Sequence, residues 1–362
     1  MENTIVNNNE KRLILLLCRL TFSEQEKNEI KELVSQKINW MKVFEYTIPN
    51  KITTLVWNNL KNLNIQYNIP KYLKSILKFT EIGIQKQNEL YLQQVEEITY
   101  EFKNNKCVCI PVKGSFFVPN MYKDYRIRYM GDLDFLIRKK DLPTAYKVME
   151  EKGYVQGQYI ASQNMIIPMS RKDDITWKLK MSHLYPFVKK INSEYLGAVK
   201  CDFRFALDDR LDPEPINEMI QSFDGDFLPA YRFIHLCTHL YEEAKKEVYI
   251  VLGKDINLIK FCDIREYVLH FMKDSDFETV IDFATRQGLN KAVYYTLWYL
   301  NQIYHDGYEQ KILDLIRIED TDFLYTFGKT DETQTQVWKK DFWERLFSGY
   351  NLDEIKVFEW HE

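Results

Sequence analysis

Helix-breaking residues crowd the middle of this chain. One glycine, Gly83, precedes Gly114, and no proline occurs in the 133 residues after Pro229. In a helix interior a glycine costs about 1 kcal/mol and a proline about 3 kcal/mol relative to alanine. Both flanks can therefore be helical, and the punctuated centre must carry the turns and strands. The expected class is α+β, a small mixed sheet between helical regions. With 12 glycines and 10 prolines in 362 residues, the chain is too poor in turn formers for a large β-sandwich. A hydrophobic content of 45% excludes a disordered or low-complexity chain.

Four regions are expected: a helical segment over 1–105, a mixed centre over 106–210, a second helical segment over 211–310, and an aromatic tail over 311–362 that packs back on the body. Within the first, Leu13 to Leu17 reads as the buried side of a short helix over 10–20, too brief and wrongly flanked for a signal peptide. Ser23 with Glu26 forms a capping box for a helix to about Lys37. Another helix is expected over 50–62, and Pro70 opens a long one to about Asn105. In the centre, 107–112 and 132–137 are strand-prone, with a helix-like piece between them ending near Lys123. Asp141 can cap a helix ending near Gly153. Residues 175–188 read as one or two strands. Over 197–207 the alternation is clean: Val199, Cys201, Phe203 and Phe205 face one way, Lys200, Asp202 and Arg204 the other. Helices are expected again over 215–222, 229–245, 255–270, 276–286 and 288–305.

Charge excludes some functions. With 49 basic and 53 acidic residues the net charge is −4, so no extended nucleic-acid surface is expected. No run reaches the length of a membrane span, so no membrane partner is expected. The six cysteines form no CxxC pair, which fits free thiols in a reducing, cytoplasmic setting.

The centre carries the chemistry. Asp132 and Asp134 are two apart in a strand, so both carboxylates project from one face while Leu133, Phe135 and Ile137 enter the core. An acid-x-acid pair is common, with about eight expected by chance at this acid content. Its surroundings single this one out. Clustered carboxylates call for a cation, and Mg²⁺ prefers such oxygens. Asp202, on the polar face of a later strand, offers a third ligand, and three carboxylates can hold two metals flanking a displacement at phosphorus. Upstream, Lys113-Gly114-Ser115 follows a short apolar strand, where backbone N–H groups can cradle phosphate oxygens. Lys113, Arg126 and Arg128 add positive charge near that loop. Gly114 would let backbone approach a phosphate, and Gly131 would let the chain turn into the acidic strand.

These residues resemble a known family. Pro111-Val-Lys-Gly-Ser115, then Arg126-Ile-Arg-Tyr-Met-Gly-Asp-Leu-Asp-Phe-Leu-Ile-Arg138, then Gly153-Tyr154 look like the uncharacterised nucleotidyltransferase family of the DNA polymerase β-like superfamily. Arg128, Gly131, Asp132 and Asp134 match its Arg-x-x-Gly-Asp-hydrophobic-Asp strand, and Lys113 and Gly114 its Lys-Gly turn. Asp202 matches the third-strand acid, and His235-Leu236 with His239-Leu240 its helical motif. The likeness spans about residues 100 to 305. Arg204 departs from it, standing where the pattern has a histidine, and the 18 residues from Gly114 to Asp132 are a longer spacing than usual.

The resemblance implies a nucleotidyltransferase core flanked by helical regions and an enzyme that moves NMP from an NTP to a hydroxyl or other nucleophile, releasing pyrophosphate. It implies catalytic and metal-holding roles for Asp132, Asp134 and Asp202 with Mg²⁺ or Mn²⁺. Lys113, Gly114, Ser115 and Arg128 would bind the NTP. A small molecule or peptide is favoured over RNA as acceptor. The alternatives are a non-catalytic NTP-binding module and a toxin-like tRNA nucleotidyltransferase. His235 and His239 share one helix face, but no third zinc ligand follows by spacing, so a structural pair or a cleft lining is expected. His183 reads as a structural histidine. Gly328-Lys329-Thr330 resembles the end of a P-loop, but position 323 is Phe where that motif needs Gly.

Overall fold

Five consecutive apolar residues, Leu13 to Leu17, are buried together in α1 (Asn9–Leu17), the first helix among the described residues. The structure, a computed structural model, describes residues 8–328 and 335–349. Residues 350–362 of the expected aromatic tail, and Lys329 and Thr330 of the P-loop-like triplet, lie outside them. The chain divides into two compact units, one of residues 79–235 and the other of 1–78 with 236–362.

After α1 come α2 (Glu24–Ser35), α3 (Trp40–Thr47) and α4 (Thr53–Asn62). The Ser23–Glu26 capping box forms in both directions, as expected. Helix α3 was not anticipated; Asn39 caps it, accepting from the Lys42 N–H. Helix α5 (Lys71–Asn104) runs 34 residues, with its single glycine at Gly83.

The centre holds β1 (Ile110–Val112), the short helix α6 (Gly114–Phe117) with a π-helical turn over Val118–Tyr122, β2 (Leu133–Leu136), α7 (Leu142–Glu151), β3 (Val155–Ile160), β4 (Met165–Pro168), α8 (Arg171–Lys180), β5 (Phe187–Lys190) and β6 (Ala198–Arg204). The six strands form one mixed sheet in the order β1-β2-β6-β5-β3-β4. β2 runs parallel to β6, and the other neighbours are antiparallel. This is the α+β class expected.

Phe203 of β6 organises the core of this unit. It stacks on Phe135 of β2 at 5.1 Å and on Phe102 of α5 at 5.6 Å, with Phe187 of β5 edge-on at 5.9 Å. Each fully buried phenylalanine contributes about 1.5–3 kcal/mol of apolar transfer, and each such ring pair about 0.5–1.5 kcal/mol more. Leu133, Val199 and Cys201 line the same face, all fully buried.

Two local expectations fail for physical reasons, and one hairpin was not expected at all. Residues 175–180 are helical, not extended. Ile175, Trp177 and Leu179 alternate as in a strand, but Ile175 and Leu179 are exposed at 52% and 70%, so alternation buries nothing. The Ser170–Asp173 capping box and the Lys178–Asp174 pair favour the helix instead. Asp141 sits at the N-cap of α7 without capping it, because Arg138 Nε donates to its carboxylate at 2.6 Å. The hairpin of β3 and β4 was not foreseen. Gly157 is required there, since a Cβ would lie 2.5 Å from the Ile167 carbonyl oxygen.

Helices then return: α9 (Glu214–Gln221), α10 (Pro229–Lys245), α11 (Glu247–Val251), α12 (Leu258–Phe271), α13 (Asp274–Arg286), α14 (Asn290–Ile303) and α15 (Tyr308–Leu315). β7 (Thr326–Gly328) pairs with β8 (Thr335–Val337), and α16 (Phe342–Ser348) follows. Within the larger unit, the buried Arg265 of α12 holds Asp306 with two hydrogen bonds of 2.5 and 2.7 Å, and Glu266 at 2.6 Å. Phe342 stacks on Tyr299 at 4.1 Å, so the described part of the aromatic tail packs on the α14 helix. Among the described residues no helix is long and apolar enough to cross a membrane.

Candidate active site

The parallel pairing of β2 with β6 sets Leu133 beside Cys201, Asp134 beside Asp202 and Phe135 beside Phe203. Strand alternation sends the apolar members to the core and leaves the two carboxylates side by side on the opposite face. Asp132 precedes β2 by one residue. Its side chain is 44% exposed, against 14% for Asp134 and 19% for Asp202.

Like charges set directly opposite on a sheet repel. Two lysines answer them. Lys113 Nζ donates to Asp134 Oδ1 at 2.7 Å. Lys200 Nζ donates to Asp202 Oδ2 at 2.6 Å and stands 3.7 Å from Asp132 Oδ2. Asp202 Oδ1 is buried and accepts no hydrogen bond from the described residues. Burial pushes the Asp134 carboxyl up to about 6; Asp132 and Asp202 add to the rise, and Lys113 opposes it. Burial likewise raises Asp202, with Lys200 opposing and Asp132 adding. Burial acts to lower Lys200, but Asp202 and Asp132 outweigh it and the ammonium is held above its usual range.

Between β1 and α6 the chain reverses at Lys113, whose φ of 50° and ψ of −128° are rare for a side-chain-bearing residue. The positive φ therefore falls on Lys113; Gly114 and Gly131 have ordinary φ. Gly114 makes room of a different kind. A Cβ there would meet Met130 Cγ at 2.6 Å and Arg128 Nη1 at 2.7 Å, so the missing side chain lets Arg128 lie against the turn. Gly131 does not supply a turn by conformational freedom; its carbonyl accepts from Tyr91 Oη at 2.9 Å. Ser115 is buried, and its hydroxyl accepts from the Asp134 N–H at 3.3 Å, tying the turn to the acidic strand. Arg126 lies at the surface, held by both oxygens of Asp124.

Sequence reasoning overlooked the residues that fasten this loop. Asn88 of α5 is fully buried, and its amide donates to the carbonyls of Tyr125 at 2.7 Å and Arg128 at 2.8 Å. Gln87 donates to the Met130 carbonyl at 2.7 Å. With Tyr91 they grip residues 125–131, the segment leading into Asp132. The available signal was a polar interruption, Gln87-Asn88, in an otherwise apolar helical stripe. Lys200 was read only as a polar-face residue.

Arg204 is buried. Its Nη1 donates to Ser182 Oγ at 3.0 Å and to the Leu207 carbonyl at 3.2 Å. Arg232 donates to the Pro111 carbonyl at 2.9 Å, with its guanidinium 3.6 Å from the Phe116 ring centre. Burial, then Lys113, Arg204 and Arg232, hold His235 well below the usual histidine range, so it is neutral at pH 7. His239 Nδ1 instead lies 3.3 Å from Glu243. His183 bridges to Arg204 along the sheet, and Trp177 Nε1 donates to its carbonyl. Among the described residues no group of three or more His, Cys, Asp or Glu side chains is gathered closely enough to hold a metal ion as it stands.

A family model described as uncharacterised nucleotidyltransferase matches residues 36–305. The chain belongs to this nucleotidyltransferase family. No curated protein and no solved structure matches it. Membership in the nucleotidyltransferase family supports a general nucleotidyl-transfer function with an NTP as substrate. The family match covers the whole six-stranded sheet, including the strands that carry Asp134 and Asp202 and the residue before β2, Asp132.

Proposed function

We propose that this nucleotidyltransferase moves NMP from an NTP to a hydroxyl or other nucleophile of a small molecule or peptide, releasing pyrophosphate, at the face bearing Asp132, Asp134 and Asp202. The observation that carries the reading is the Asp134–Asp202 pair, set side by side on β2 and β6 with Asp202 Oδ1 buried and unbonded. A buried carboxylate oxygen without a partner is costly unless a cation or donor completes it. The donor set is oxygen-only and anionic, which suits Mg²⁺ or Mn²⁺.

Asp132, Asp134 and Asp202 would hold the divalent cation, and small side-chain movements would be needed to gather them. The cation, when bound, supplies charge neutralisation for the triphosphate. Lys113, now paired with Asp134, and Arg128, buried with its Nη1 donating to the Tyr129 carbonyl at 3.1 Å, would turn to phosphate oxygens as cations, and Gly114 leaves space for the Arg128 guanidinium. Ser115 holds the turn against Asp134 through its hydroxyl. Asp202 is the carboxylate we assign to the attacking nucleophile, accepting or orienting its proton. The balanced charge of the chain favours a small or peptidic acceptor over RNA. A cytoplasmic setting fits the six free cysteines.

A non-catalytic NTP-binding module is the second reading, favoured by Arg204 at the position of the family histidine and by its hydrogen bonds to Ser182 Oγ and the Leu207 carbonyl. Incubation with α-³²P-labelled NTPs, Mg²⁺ and a panel of acceptors separates the two. Label transfer and pyrophosphate release by the wild type, abolished in Asp132→Asn/Asp134→Asn, is the expected result. NTP binding without turnover on any acceptor would favour the binding module, and a wild type that neither binds NTP nor differs from the double variant would defeat both.

A further inference from the structure

Lys200 stands two residues before Asp202 on β6 and shares its face. Its ammonium lies 2.6 Å from Asp202 Oδ2 and 3.7 Å from Asp132 Oδ2, between a carboxylate of β6 and that of the residue leading into β2. A Mg²⁺ ion bound by a carboxylate oxygen sits at about 2.0–2.1 Å from it. An ion at that distance from Asp202 Oδ2 would be pressed against the ammonium, and two cations in contact repel. The Lys200 side chain is 42% exposed, so its flexible stem has room to leave. Lys113 differs: its side chain is 21% exposed and springs from the strained turn.

We propose that Lys200 is a tethered counter-ion. It holds Asp132 and Asp202 together before the metal arrives, and it swings onto the triphosphate when a metal–NTP complex enters. This rests on the reading that the acidic face binds a metal–NTP complex. Free metal must displace an ammonium that then has no new partner. A metal–NTP complex displaces the same ammonium and offers it phosphate oxygens. Metal and nucleotide therefore bind synergistically, and by linkage each raises the affinity of the other by the same factor.

The test measures Mn²⁺ binding to the full chain by electron paramagnetic resonance, with and without α,β-methylene-ATP, in the wild type, Lys200→Met and Lys200→Arg. In the wild type the analogue is expected to tighten Mn²⁺ binding about tenfold or more, equivalent to about 1.4 kcal/mol. Lys200→Met is expected to bind Mn²⁺ alone about tenfold more tightly than the wild type and to lose most of the synergy. Lys200→Arg keeps the charge and should stay close to the wild type. Synergy in the wild type with unchanged or weaker Mn²⁺ binding by Lys200→Met overturns the role of Lys200 and leaves the nucleotide reading intact. Absence of any Mn²⁺–analogue binding by the wild type overturns both. Should Lys200→Met not fold, ¹⁵N-lysine NMR of the wild type decides. The Lys200 Nζ signal, assigned through Lys200→Arg, must shift when Mg²⁺ and the analogue are added together, and an unmoved signal overturns the proposal.

Discussion

Asp134 and Asp202 stand in register on neighbouring parallel strands, and each carboxylate is held by a different lysine. This relationship concentrates negative charge on a partly buried sheet face and leaves Asp202 Oδ1 without a donor. It governs how the protein should respond to pH.

Burial disfavours the charged form of Asp134 and pushes its carboxyl from the usual 3.8 up to about 6. A raised folded-state value means that Asp134 contributes most to stability below about pH 3.8 and that this contribution is lost as pH rises through about 6. A divalent cation needs the ionised form. Stabilisation by Mn²⁺ with an NTP analogue should therefore be large at pH 7.5 and fade as pH falls through about 6. Thermal melts from pH 5 to 8 check this. A constant ligand-induced shift over that range would contradict the assignment of Asp134 as a ligand.

Lys113 carries both charge and backbone strain. Lys113→Ala and Lys113→Gly remove the ammonium equally, but only glycine relieves the φ of 50°. The glycine variant should be more stable than the alanine variant by about 1 kcal/mol. Both should lose nucleotide affinity to a similar extent. Urea unfolding alongside nucleotide titration measures the two effects, and equal stabilities would show that the turn is unstrained.

Asn88 fastens the loop that leads into Asp132. Asn88→Ala removes two donated hydrogen bonds and leaves the Tyr125 and Arg128 carbonyls without them. A loss of about 1–3 kcal/mol in stability is expected. If the grip on residues 125–131 matters, nucleotide affinity should fall more than stability alone explains when measured well below the melting temperature. Affinity equal to wild type in the folded variant would limit Asn88 to a structural role.

Much of this architecture was legible along the chain. The Ser23–Glu26 cap, the long helix after Pro70, and the alternation of Val199, Cys201 and Phe203 against Lys200 and Asp202 are local signals, and local geometry obeys them. The Lys-Gly turn and the Asp-x-Asp strand were visible for the same reason. Where two local signals conflicted, pattern misled: Ile175, Trp177 and Leu179 alternate like a strand, yet a capping box makes the segment helical. The Asp141 cap failed because Arg138, three residues away, competes for the same carboxylate.

The sequence by itself determined the helical flanks, the mixed centre and the two ingredients of the site, because each depends on spacing of a few residues. Tertiary structure alone decided that Asp134 and Asp202, 68 positions apart, stand in register, that Lys200 lies between Asp202 and Asp132, and that Asn88 grips the Arg128 loop. These depend on strand pairing and on a helix laid across the chain. Such contacts form only when the burial of Phe135, Phe203 and Phe102 outweighs the entropy of closing long loops.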